Sequence, residues 1–457
     1  MSDNARVTTT LLSDGEWRSR SVEDVSLGSE RWITSRRSLQ VAPLFDFLRG
    51  FLCCDDVEQA TLLLPVATLP KGPLLSFDVT APDLVTAYLP KRRVLAEREA
   101  HFVVATAAAH DIAVSARLQE LLTAICEFTP GIWQGWDRDQ PNPLHSYLSD
   151  AVQQSLPESL VASWAATVAP ASAALAAELD EGAQDASSAE NPLLAIPLLL
   201  RGGRLDVPDV GSLLEEFAEF ISKCASATPS GTYTPHGLLA EYGVRWEAMV
   251  HCTVPLHEPF LARMSEQRLL SVGRRGTTRI TVTTADAASN HIVVRVTDPH
   301  VEIHGTPQGR RRLRQPRQQQ IPLFSALGVP LEEAHFEGVR KTREQWSLYG
   351  SAPDREYQVE IRPRLKLSQP YLSANLSVEA LTGVACVLVA VRWGCLTAAD
   401  LAVIVIPTTL AAAFLVTRDT TTLATRLQRA TRLRTTALVV VLWAMVALAY
   451  ALDVVKS

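Results

Sequence analysis

The chain has 457 residues, 47% of them hydrophobic and 20% charged, with a net charge of −6. At roughly 100–200 residues per domain this is two or three folding units, and it is too apolar and too weakly charged for a disordered chain. Residues 376–457 carry seven basic and four acidic side chains, net +3, so residues 1–375 are net −9. An acidic body argues against nucleic acid as its main partner, because phosphate binding needs a positive footprint.

Only six of the 43 cationic residues are lysines. With many Ala and Val, that resembles coding from a high-GC bacterial genome. The seven cysteines are odd in number and form no CxxC pair, which reads as reduced, buried thiols rather than a secreted disulfide framework. Met1-Ser-Asp-Asn-Ala-Arg lacks the basic-then-apolar pattern of a signal peptide, so residues 1–375 are expected in the cytoplasm.

In chain order, residues 1–15 read as a polar, flexible N-terminus. Residues 16–90 form a β-rich part, with strands in Thr61–Pro70 and Pro73–Ala81 around a Lys71-Gly72 turn. The period then changes, and residues 91–230 read as a helical lobe. In it Leu213, Phe217 and Phe220 share one helix face, and Pro170 interrupts a helical run. Residues 231–370 return to strands. Trp246, Ala248, Val250, Cys252 and Val254 alternate with polar neighbours as a half-buried strand, and Gly273-Arg-Arg-Gly276 marks a hairpin turn. If the strand ending at His304 pairs antiparallel with the one ending near Lys366, the link from Gly305 to Gln345 lies at the end away from the bilayer. The fold class is therefore α+β: an antiparallel β-sandwich-like body with a helical insertion. The N-terminal strands either complete the C-terminal sandwich, which a marginal two- or three-stranded sheet favours, or form a separate domain.

Residues 376–457 form a transmembrane region with three apolar runs, at about 376–396, 401–417 and 437–455. A span needs roughly 17–25 mostly apolar residues, so three C-terminal transmembrane helices are expected. The link between the second and third runs holds Arg418, Arg426, Arg429, Arg432 and Arg434, and basic loops stay cytoplasmic. The expected topology is a multi-pass cell-membrane protein with residues 1–375 inside and the C-terminus outside. The link reads either as an interfacial helix on an anionic inner leaflet or as a solvated loop. Glu379 and Pro407 are the intramembrane residues that could carry function: an acid that could face a pore or another helix, and a kink.

No GxSxG, GxxxxGK[ST] or GxGxxG signature occurs, so no cofactor is expected and the reading leans away from an enzyme. Asp298, His300, Glu302 and His304 stand two apart. On one strand face His300, Glu302 and His304 could share a metal ion, with His251 or His257 as further ligands; a solvent-facing polar row is the competing reading. The leading functional expectation is a membrane-anchored cytosolic interaction or sensing module, with a protein partner or a second copy of the chain as its ligand. The alternatives are a membrane-perturbing or pore-forming effector controlled by the body, and a metal-dependent enzyme using the 298–304 strand.

Overall fold

The computed structural model describes residues 3–452 except 29–31, 53–56, 72–74, 81–86, 130–155, 180–191, 202, 228–232, 271, 274, 275, 279, 284–286, 305–308, 314–320, 323–335, 352–356, 362, 394, 396, 398, 400, 401, 404, 407, 411, 412, 414–422 and 428. It is a mixed α/β structure built on one large sheet. Seven strands lie in the order β12 (Phe336–Lys341), β13 (Gln345–Ser351), β8 (Ser289–Val296), β1 (Arg18–Leu27), β2 (Trp32–Val41), β6 (Phe260–Leu269) and β4 (Leu75–Thr80). Strands from both ends of the sequence therefore share this sheet. β1 is the joint: it pairs antiparallel with β2 and parallel with β8, Val25 opposite both Ser35 and Val294. Alternation along β1 and β8 sends Val25, Leu27, Ile292, Val294 and Val296 inward, as expected of a sheet with one solvated face.

Two apolar cores share the inner face. The larger holds the ribbon of β3 (Gln59–Pro70) and β5 (Arg245–Pro255), with Leu39 and Val41 of β2 and Met264 of β6 beneath it. Over that ribbon lie α3 (Arg92–Ala108), α4 (Ala116–Glu127), α5 (Glu158–Glu178), α6 (Ile196–Arg201), α7 (Val207–Ser226) and α8 (Pro235–Val244). The smaller core joins Val25, Leu27, Val294 and Trp346 to β7 (Ile280–Thr283), β9 (Val301–His304), β14 (Tyr357–Ile361) and β15 (Arg364–Leu367). Between the two cores runs a polar row on β1, β2 and β6. Arg37 Nε donates to Glu23 Oε2 at 2.7 Å, Ser35 Oγ donates to Glu23 Oε1, and Glu266 sits opposite Ser35. Arg37 and Glu23 are both buried, so each needs the other to offset its desolvation.

Several expectations change. The N-terminal stretch forms α1 (Asp3–Ser13), whose Ala5, Thr8, Leu11 and Leu12 are buried; three intervening polar residues hide this i, i+3, i+7 stripe. Pro170 lies inside α5 without ending it. The Gly273–Gly276 turn exists, with Gly276 N donating to Gly273 O, but β6 and β7 beyond it enter different sheets. β5 is half-buried only from Val250 onward: Glu247 and Met249 are buried too, because helices cover its other face. β9 and β15 pair antiparallel, Val301 opposite Leu367 and His304 opposite Arg364.

After β15 come α9 (Gln369–Val391), α10 (Leu423–Leu427) and α11 (Arg429–Ala451). One further short helix, α2 (Phe45–Leu48), follows β2. By length and composition, one described helix could cross a membrane, and it is α5. The apolar stretches Leu376–Val391 in α9 and Leu433–Ala449 in α11 are shorter, and 401–417 is described only in part. Three full-length C-terminal spans are therefore not what the described residues display.

Candidate functional site

The most constrained place in the smaller core is where the C-terminal helices meet the β-layer. β8 ends at Val296, and Thr297-Asp298-Pro299-His300 turns the chain into β9. Asp298 is buried, at 2% exposure. Its Oδ1 accepts the His300 N–H at 2.9 Å, closing the turn, and its Oδ2 accepts the Ala424 N–H at 3.0 Å. Ala424 is the second residue of α10, where helix N–H groups have no partner of their own. Asp298 thus caps a helix that lies 126 positions further along the chain, and its negative charge suits that helix end.

Side-chain packing reinforces the cap. Leu423 and Ala424 belong to the smaller core, and Leu427 packs against it. Gly276 backs the same contact: its N–H donates to Gly273 O, and its carbonyl accepts the Leu365 N–H at 2.8 Å. Its φ is +74°, and a Cβ there would overlap the Leu365 carbonyl oxygen and press on Leu427 Cδ2 at 3.2 Å. Only glycine fits both the backbone and the space.

The docking fixes how the long helices leave the body. Ser368 alone separates β15 from α9, and one residue separates α10 from α11. α10 and β15 share the smaller core, so α9 and α11 start from the same end of the body. They pack along each other through Ala385, Val389, Leu442, Val446 and Ala449, with Cys386 Sγ 3.8 Å from the Leu438 carbonyl.

The sequence-derived site residues fare as follows. In the basic link, Leu423 and Leu427 do share one helix face, but that face packs on the β-layer, because the Asp298 carboxylate and the apolar core beside it are better partners than solvent. Arg418 lies outside the described residues, Arg426 falls on α10, and Arg429, Arg432 and Arg434 fall on the first turns of α11, Arg434 exposed. Glu379 is half-buried on α9, and its Oε1 has no hydrogen-bond partner among the described residues. Pro407 lies outside the described residues.

His300 precedes β9, since Pro299 breaks the register, and its carbonyl accepts the Ser368 N–H at 2.8 Å. Glu302 and His304 face Lys366 and Arg364 across the strand pair, and Arg343 Nη1 lies 3.9 Å from Glu302 Oε1. Those cations disfavour a metal ion there. His257 stacks on Phe45 and His251 on Tyr88, in the other part of the body. Among the described residues, no three His, Cys, Asp or Glu side chains are placed to hold a metal.

One buried charged centre was not anticipated. Glu99 of α3 is fully buried and accepts Arg92 Nη1 and Nη2 at 3.1 and 2.8 Å and the Glu247 N–H at 2.8 Å. Thr68 Oγ1 in turn reaches both Glu247 carboxylate oxygens at 3.1 Å. Arg92 also donates to the Cys126 carbonyl, and Lys71 Nζ donates to the Ile125 carbonyl at 2.8 Å. Two cations therefore close the C-terminus of α4, where the helix dipole favours them. Desolvation, with Arg92 adding repulsion, brings the Lys71 ammonium down to about 7. Burial, with Glu99 close by, pushes the Cys126 thiol up to about 12, which leaves it inert. Arg92 Nε has no hydrogen-bond partner among the described residues, but the other contacts run between α3, α4 and the ribbon, so the centre locks the three together. Arg92 in a helix two turns before Glu99 was the available signal, but a charge pair at that spacing is common on solvated helices.

No family model matches the chain, and no curated protein or solved structure matches it either.

Proposed function

We propose that the chain is an interaction or sensing module whose body is held at a membrane by α9, α11 and the stretch between them. The observation that carries this is where the large exposed apolar side chains lie. Among the described residues, all but Phe51, Tyr88, Leu261 and Tyr349 fall at or beyond Leu372, among them Val387, Val391, Val403, Ile406, Trp443 and Leu448. Water does not tolerate so concentrated an apolar surface, and a bilayer does.

α5 is the competing span, and its side chains argue the other way. Val161, Trp164, Val168 and Leu175 turn into the core, and its outward positions are small: Ala162, Ser163, Ala165, Ala166 and Ala169. In this reading α9 and α11 both run away from the body, the intervening stretch returns, and the basic link stays on the body's side. That order follows the positive-inside rule and leaves the C-terminus on the far side. The Asp298 clamp would make the body and the helices one mechanical unit. Fractionation tests the anchor. The full chain should stay with membranes through an alkaline carbonate wash, and its release into the supernatant would overturn the proposal.

A further inference from the structure

We propose that the outer face of the seven-stranded sheet binds single-stranded nucleic acid. Strand register sorts charge onto this face in a way the overall composition hides. It carries five arginines, Arg20, Arg36, Arg263, Arg295 and Arg340, against Asp24 and Asp78. Asp24 is already ion-paired with Arg295. Arg20, Arg36, Arg263 and Arg340 are exposed. The chain outside its C-terminal tail is net −9, so a polyanion is repelled by most of the body and attracted by this face.

Aromatic rings stand among the arginines. His291 of β8 and Tyr349 of β13 face each other across the strand pair and stack with centroids 4.1 Å apart. Tyr349 is 41% exposed. Burial and the Arg20 charge lower the His291 pKa, which keeps the imidazole neutral at pH 7 and suited to stacking. Ser38, Gln40, Ser265 and Gln267 fill the positions around the arginines with hydrogen-bonding groups. An open sheet offering cations for phosphates and rings for bases is a sequence-tolerant way of holding a single strand.

The test uses the full chain in discs of zwitterionic lipid and a fluorescein-labelled oligouridylate of about 20 nucleotides, read by anisotropy. Binding should be seen at about 50 mM salt and should weaken towards about 200 mM with a log–log slope near −2, as three phosphate contacts would give. The double variant Arg36→Gln/Arg263→Gln should lower affinity at least tenfold and flatten the slope by roughly 1.4. Tyr349→Ala should lower affinity about tenfold and keep the slope. On the unmodified chain, ultraviolet crosslinks should map to Tyr349 or His291. No binding at low salt overturns the proposal, as do crosslinks confined to residues 418–434. Capture of labelled polyglutamate through the same arginines, without the oligouridylate, also overturns it and assigns the face to an acidic protein.

Discussion

Replacing Asp298 by alanine probes the junction between the body and the C-terminal helices. The change removes the acceptor of the Ala424 N–H and the partner of the His300 N–H. A buried donor left unpaired costs about 1–3 kcal/mol, and a lost cap about 1 kcal/mol. Ala424 is fully buried while His300 is half-buried, so water rescues the second donor and not the first. The net cost should be about 2–3 kcal/mol, concentrated in α10 rather than spread over the body. In hydrogen exchange, the amides of residues 423–427 should speed up by roughly 30- to 150-fold. Asp298→Asn keeps one oxygen and should show a smaller change. If Asp298→Ala leaves those amides at wild-type protection, α10 is not clamped by this carboxylate, and the coupling of body to helices loses its basis.

Gly276→Ala should destabilise the chain by about 2 kcal/mol in urea unfolding, since the new methyl group meets a backbone oxygen at a positive φ; a change within about 0.5 kcal/mol would mean that the turn relaxes freely. Glu99→Ala leaves the Arg92 guanidinium without its bidentate partner and should cost about 3 kcal/mol, read as a lower urea midpoint. Lys71 sets a pH dependence. Its folded pKa of about 7 lies below the ordinary lysine value of 10.5. Between those values the unfolded chain binds more protons, so this group makes stability rise with pH from about 7 to about 10.5. The Lys71→Met variant should lose that rise, and an identical urea-midpoint profile in both proteins would refute the assignment.

What the sequence made legible was the local pattern, and what it hid was charge inside the fold. The stripe of α7 and the alternation of β5 follow from periodicity, because apolar spacing survives any tertiary arrangement. The joining of β1 to β8 in parallel could not be read from either strand: both alternate, and nothing local distinguishes a neighbour 269 residues away. Glu23, Arg37, Glu99 and Glu247 look like surface residues in a one-dimensional reading, and each is buried against a partner from another element. Asp298 was visible as one of a polar row, and its place at the start of α10 became apparent only once Pro299 was seen to turn the chain. The C-terminal runs were legible as apolar, but their described helical apolar stretches are shorter than the sequence runs suggested.

A photoactivatable apolar probe dissolved in the bilayer, followed by mapping of the labelled residues, distinguishes α9 and α11 from α5 as the helices that lie in lipid. Label should fall on the outward positions Val384, Val387, Val391 and Trp443 and not on Val389 or Leu442, which pack in the core of the helix pair. Label on the Glu158–Glu178 helix, with α9 and α11 unlabelled, would contradict that placement.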